Sequence, residues 1–227
     1  MCGRYATTKS EADLSRLFDA VPVAEAPAPS WNVAPTDPVP VVRVSSSHAA
    51  RVVDTVRWGL PGHKGTMINA RAETVDRLPA FKSSFERRRC LVPADGWFEW
   101  VRDGKRKQPF YMTPRDGSVL AFAGLWTRRE GTMTCGVITT AALGDLSRVH
   151  DRMPLILPPA RWDEWLAADT AEPGLLRPLT AGELDTLIEV RPVGAAVGNV
   201  RNNGPQLTAP APASPALAPP ALEGTLF

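Results

Sequence analysis

Apolar residues recur along the chain with two periods. Ser10-Glu11-Ala12-Asp13 has the form of a capped helix start, and Leu14, Leu17 and Phe18 follow at helical spacing. A Pro/Ala-rich connector, VPVAEAPAPS, then reads as an irregular surface loop. Extended segments dominate after it. PVPVVRV and ARVVDTVRW read as strands, and FKSSFERR reads as a short helix feeding a buried strand at RCLVP. WFEWVR and QPFYMT flank RDGK, where Asp-Gly supplies the positive-φ positions of a tight hairpin turn. VLAFAGLW and TMTCGVITT are apolar runs suited to strands buried on both faces. Pro158 and Pro159 stand where a helix start tolerates proline, ahead of RWDEWLAA, and AGELDTLIEV reads as one more short helix. From Pro205 the Pro/Ala-rich sequence has no face to bury and reads as a disordered tail. The pattern predicts an α+β protein with one domain over 1–204 and a tail over 205–227. Its sheets are mostly antiparallel, curved or barrel-like, with peripheral helices.

Length and composition fit that picture: 227 residues, 44% hydrophobic and 22% charged, are enough for one substantial core. No apolar run is long enough to span a bilayer, and the N-terminus lacks a basic segment leading into an apolar signal core. A cytoplasmic protein with no membrane partner is therefore expected. A net charge of +2 does not announce nucleic acid, so any such binding needs a local patch. ERRRC at 86–90 and RDGKRK at 102–107 are the basic runs, and each also reads simply as a solvated turn or strand end. Three cysteines cannot all pair, and none has zinc-ligand spacing; Cys90 and Cys135, in apolar runs, read as buried inert thiols.

Several polar residues stand where a purely structural strand would not need them. Cys2 directly follows Met1, and removal of that methionine would leave an α-amine and a thiol on neighbouring carbons. Equally, MCGRYA simply enters a first strand. In INARAET, Asn69 and Arg71 share a face if the segment is extended. In ADGWFEW, Glu99 lies between aromatics, where reduced hydration would raise its pKa; it also reads as an ordinary half-exposed strand residue. His150 precedes Asp151, Arg152 and an apolar run, and reads as an acid–base group or a satisfied loop histidine. AVGNVRNNG is a Gly/Asn-rich turn. His48 and His63 sit in polar, loop-like surroundings and are assigned no role.

Together the motifs MCGRY, WNVAP, RWGL, INARAET, RRCLVPADGWFEW, PFYM, FAGLW, HDRMP and AVGNV, in this order, resemble the SOS-response-associated peptidase family. The resemblance runs from Cys2 to about Gly204. It implies a protein that binds abasic sites in single-stranded DNA and crosslinks to them through Cys2, once Met1 has gone, by closing a thiazolidine ring. It implies catalytic roles for Cys2 as nucleophile, Glu99 as proton carrier, His150 in sugar ring opening and Asn69 in holding the Cys2 terminus or the sugar. Arg4, Arg71 and Arg152 match basic positions and would hold phosphates. An α-amine titrating near ~8 and a thiol near ~8.5 would need no large shift to react at neutral pH.

No cofactor or metal is implied; the expected partner is single-stranded DNA with abasic sites, bound by a monomer associated with the nucleoid. The same resemblance leaves room for an N-terminal-cysteine autopeptidase, for lyase-type strand incision and for a non-covalent single-strand binder. Two features stand apart. LPGHKGTM at 60–67 is shorter than the family's loop and carries no aromatic wedge, which implies poorer discrimination among single strands, junctions and duplex edges. The terminal Leu226 and Phe227 are candidate anchors for a replication sliding clamp, and read equally as a frayed apolar end.

Overall fold

The extended segments pair into a closed sheet. In a computed structural model, which describes residues 2–63, 65–104, 106–167 and 171–212, strands Pro38–Ser45, Ala50–Trp58, Arg89–Ala94, Leu120–Arg129 and Thr132–Ala141 form the barrel. Their neighbours are antiparallel until the last step, where Thr134 and Cys135 pair in parallel with Arg57 and Trp58 and complete the circuit. Closure leaves no unpaired edge to template aggregation. Strands Asn69–Arg71 and Arg152–Pro154 extend the circuit at one end, both against Thr132–Ala141. A second, five-stranded sheet carries Tyr5–Thr7, flanked by Ser30–Val33 and by the Gly96–Asp103/Arg106–Pro114 hairpin, with Ile188–Pro192 at the far edge.

Alternation along the strands separates two cores. Val39, Val41, Val56, Trp58, Cys90, Val92, Phe122, Cys135 and Val137 face inward and meet Cys2, Tyr5, Trp97, Phe110 and Met112 from the second sheet. Tyr5 sits edge-on to Trp58 at 5.0 Å and to Phe122 at 6.2 Å between ring centroids; such aromatic pairs add about 0.5–1.5 kcal/mol each beyond area burial. Residues of opposite parity, Val42, Val53, Leu91, Ala121, Ala123 and Ile138, face outward and are covered by the helices.

Those helices form where the sequence predicts. Glu11–Phe18 starts at Ser10, whose hydroxyl accepts the Asp13 N–H at 3.1 Å, and it buries Leu14 and Phe18. Pro79–Arg87 opens on proline at its first turn and buries Phe81 and Phe85. Its end is fixed by Arg89, a buried guanidinium that donates to the carbonyls of Phe85 at 2.6 Å and Trp165 at 2.5 Å and also to Ala167. One cation thus satisfies the carbonyl ends of two helices, the second being Trp162–Leu166.

Two boundaries differ from expectation. The AGELDTLIEV helix ends at Leu187, and Ile188 begins an edge strand that pairs with Pro114. The packed chain also continues beyond Gly204. Pro205–Leu207 forms a 3₁₀ turn, Leu207 is buried against Phe98, Tyr111, Val193 and Val197, and Ala211 N–H donates to the Pro192 carbonyl at 3.0 Å. The reason is tertiary: one leucine fills a site on the back of the second sheet that composition alone does not reveal. The expected clamp anchors Leu226 and Phe227 lie outside the described residues. No helix is long and apolar enough to cross a membrane among the described residues.

Leu207→Ala should lower stability by about 2–4 kcal/mol, the usual cost of emptying a buried leucine site, read as an earlier denaturation midpoint.

Candidate active site

Cys2 is fully buried at the start of the Tyr5–Thr7 strand, inside the main core. Its carbonyl accepts the Asn69 Nδ2–H at 2.9 Å. Asn69 is delivered by the short Asn69–Arg71 strand, whose parallel pairing with Val137–Thr139 alternates Asn69 and Arg71 away from buried Ala70. The Asn69 Oδ1 is buried with no protein hydrogen bond among the described residues, so an acceptor is left facing the site.

Glu99 lies on the Gly96–Asp103 strand with the inward parity of Trp97 and is only 3% exposed. Burial pushes its carboxyl up to about 7. The Glu99 Oε2 lies 3.9 Å from His150 Nε2. His150 Nδ1 accepts the backbone N–H of Arg152 at 2.9 Å and stands 2.8 Å from the Asp151 carboxylate. When Nδ1 accepts that amide, a neutral ring carries its proton on Nε2, on the side of Glu99. A second proton on Nδ1 would instead be taken by Asp151. Burial lowers the His150 pKa and the Asp151 carboxylate opposes that shift, so the ring is mainly neutral near pH 7.

Four predicted catalytic residues therefore converge: Cys2 with Asn69 by hydrogen bond, Glu99 with His150 by proximity, and Cys2 with Glu99 electrostatically. Burial first, and then the Glu99 charge, raise the Cys2 thiol well above its ordinary value. This corrects the expectation of a usable thiolate at neutral pH. Near neutral pH the thiol is held protonated.

The arginines divide. Arg71 is exposed at the rim. Arg4 is committed within the protein: Nη1 donates to Asn32 Oδ1 at 2.6 Å and to the Val197 carbonyl at 3.0 Å. Asn32 Nδ2 in turn donates to the carbonyls of Asn199 and Asn202, at 3.0 and 2.9 Å. The AVGNVRNNG turn is thereby a clamp on the strand that carries Cys2. Arg152 grips Glu73 with both ends of its fork, at 2.6 and 2.9 Å, and donates to the Thr139 carbonyl at 2.6 Å. It ties the INARAET segment to the His150 turn.

Sequence reasoning missed Asn32 and Glu73. Both sit inside the quoted motifs WNVAP and INARAET, but nothing local indicates that an asparagine will bridge to residues far along the chain. Among the described residues no group of three histidine, cysteine or acidic side chains is placed to hold a metal ion.

The SOS response associated peptidase family model matches residues 1–200, spanning Cys2, Asn69, Glu99 and His150. The chain belongs to that family. Relatives of the SOS response associated peptidases include the abasic site processing protein YoqW of Bacillus subtilis, 34% identical over 91% of this chain and 98% of that protein. The abasic site processing protein YedK of Escherichia coli is 32% identical over 92% of this chain and 100% of that protein. A crystal structure of a Bacteroides thetaiotaomicron protein shares the fold, with a TM-score of 0.77 at 20% identity, over 92% of this chain and all of that one.

The raised pKa of Glu99 has a stability consequence. A carboxyl whose pKa rises from about 4.5 unfolded to about 7 folded favours the native state below pH 4.5, and that contribution is lost as pH rises through 7. Glu99→Gln, which cannot ionise, should raise stability at pH 8 by up to about 3 kcal/mol relative to the native chain and change it little at pH 4. Paired melting curves at the two pH values read the difference.

Proposed function

We propose that this protein captures abasic sites in single-stranded DNA as a covalent thiazolidine adduct at Cys2, after removal of Met1. The observation that carries the reading is the convergence of Cys2, Asn69, Glu99 and His150 in one partly buried site. The relatives named abasic site processing proteins support the substrate class.

The chemistry follows from the protonation states. The freed α-amine of Cys2 adds to the aldehyde carbon of the ring-opened sugar and gives a carbinolamine. Glu99, protonated about half the time at pH 7, delivers its proton to the departing hydroxyl. Water leaves, an iminium remains and Glu99 is a carboxylate. The Cys2 sulfur then bonds the same carbon, its proton passes to that carboxylate and the iminium electron pair returns to nitrogen. The ring closes and Glu99 is again protonated. A group poised near neutrality performs both transfers, which a carboxyl titrating near 4 does poorly. The neutral His150 ring, with Nε2–H facing Glu99, assists ring opening of the sugar, and Asn69 Oδ1 accepts from the amine or a sugar hydroxyl. The exposed Arg71 takes a phosphate, while Arg4 and Arg152 hold the elements that carry Cys2 and His150. The hairpin at 60–67 presents no aromatic wedge, so single strands, junctions and duplex edges are discriminated weakly.

Incubation of the purified protein with an oligonucleotide holding one abasic site should give a heat-resistant shifted band on a denaturing gel. Cys2→Ala should abolish that band while leaving an imine trappable by borohydride, because the α-amine survives. Glu99→Gln should slow adduct formation by roughly 10²-fold, the usual worth of a positioned proton carrier. An undiminished band from Cys2→Ala would sink the reading, as would an intact mass that retains Met1 in an active preparation. Strand incision and peptide cleavage are separate activities, measured on the same gel and by mass spectrometry.

A further inference from the structure

The barrel has a second mouth. Thr132–Ala141 runs from one end of the barrel to the other: Thr139 pairs with Arg71 beside the Cys2 site, and Cys135 pairs with Trp126. Four residues at about 3.3 Å each separate these positions by about 13 Å along the sheet. Arg43, Arg88 and Arg128 share with Trp126 the inward parity of Val41, Cys90 and Phe122, but stand past the end of the core.

Two adjoining cavities occupy this mouth, about 560 and 270 Å³ in volume, and Arg43, Ser46, Arg88 and Trp126 line both. Arg128 completes the larger and Arg87 the smaller.

The ERRRC run resolves into distinct tasks here. Arg89 turns inward and is consumed by helix-end carbonyls. Arg43 is bound by Asp54 at 2.6 and 3.0 Å and lies 5.1 Å over the Trp126 ring, which fixes the half-buried indole. Arg88 donates only to neutral hydroxyls of Ser83 and Ser84, and Arg128 to the Met133 sulfur at 3.1 Å. Neither Arg87, Arg88 nor Arg128 forms an ion pair with a carboxylate among the described residues. Glu86, the nearest acid in sequence, is 4.0 Å from Lys82. Three guanidinium forks around an oriented indole, with serine hydroxyls at the rim, make a site for phosphodiesters with a base-stacking surface.

We propose that this mouth binds a second segment of the single strand, flanking the nucleotide held at Cys2. The assignment rests on the abasic-DNA reading for the identity of the strand, and on the arginine geometry alone for its chemistry. At the stacked rise of ~3.4 Å per nucleotide, reaching from one mouth to the other adds at least about four nucleotides to the footprint.

The test measures binding of undamaged single strands by fluorescence anisotropy against length and salt, using the full-length chain carrying Cys2→Ala so that no adduct forms. Affinity should rise in a step once the oligonucleotide outgrows the Cys2 mouth. Arg88→Gln with Arg128→Gln should remove that step and lower the salt slope, d log K/d log[salt], by about 1.4, since each phosphate no longer neutralised on a single strand is worth about 0.7. Arg87→Gln with Arg128→Gln serves as a second pair that leaves the Arg88 hydrogen bonds to the helix intact. On the native Cys2 background both pairs should crosslink a short abasic oligonucleotide at the unaltered rate. Unchanged affinity and slope in two folded variants overturn the proposal. So does stoichiometric binding of a nucleoside triphosphate that the Arg88/Arg128 pair abolishes while long strands bind as before, since the site would then serve free nucleotides. Failure of the native chain to crosslink, with the length step still absent in the variants, refutes the abasic-site reading and leaves this surface standing.

Discussion

The structure depends on keeping the first residues of the chain inside its core. Chain ends ordinarily fray, because few contacts offset the entropy of ordering them. Here Cys2 is fully buried, and four independent restraints act within five residues. The Cys2 carbonyl is held by Asn69, Arg4 by Asn32 and Val197, the Tyr5 ring by Trp58 and Phe122, and the Tyr5–Ala6 backbone by strands on both sides. The restraints come from distant parts of the sequence, with the Ser30–Val33 strand supplying both Asn32 and a backbone partner for Tyr5. A change in any one of them should loosen the position of the Cys2 sulfur, and for that reason the asparagine-rich turn at 196–203 matters although it reaches Cys2 only through Asn32 and Arg4.

Placing the thiol there has an electrostatic cost that shapes the rest of the site. A buried thiol beside a buried carboxyl cannot readily share ionisation with it: burial disfavours both anions, and the Glu99 charge raises the thiol further. The stable arrangement near neutrality has at most one negative charge on the pair, and the carboxyl, having the lower pKa, carries it. In the proposed chemistry this ordering makes Glu99 the acceptor for the sulfur's proton. His150 stands between Glu99 and the surface, where Asp151 is exposed. The Arg152–Glu73 pair sets the angle of the His150 turn, and partial exposure gives it value mainly through geometry.

Much of the fold was legible because its signals are local. Ser10 caps the helix it announces, Asp-Gly lies at the tight hairpin, and the two apolar runs around Gly124 and Gly136 are central strands. Convergence of Cys2, Asn69, Glu99 and His150 was legible only through the ordered motifs, since no spacing rule brings residue 2 beside residue 69. The Ile188 strand was hidden because a helix ending in apolar residues and a strand beginning with them look alike. Leu207 was hidden because composition averages over a tail, whereas burial is decided by one side chain meeting one gap. The internal partners of Arg4 and Arg152 were hidden for a related reason. A guanidinium's charge is visible in sequence, but the carboxylate or carbonyl that consumes it is not.

The same accounting explains how a chain of net charge +2 can serve a polyanion. Whole-molecule charge averages over paired and unpaired groups: Arg43 and Arg152 are paired with Asp54 and Glu73, while Arg4 and Arg89 keep their charge but spend hydrogen bonds on the protein's own amide oxygens. Among the many basic residues that remain, four flank the barrel ends. Arg71 lies at one mouth of the barrel, and Arg87, Arg88 and Arg128 lie at the other, with an apolar interior between them. Because exposed charges beyond about 8–10 Å are screened at physiological salt, the two mouths act on a strand as separate electrostatic sites. Under the two-mouth proposal a strand touching both would be held at two points, and the effective concentration of its damaged nucleotide near Cys2 would rise without any new interaction there.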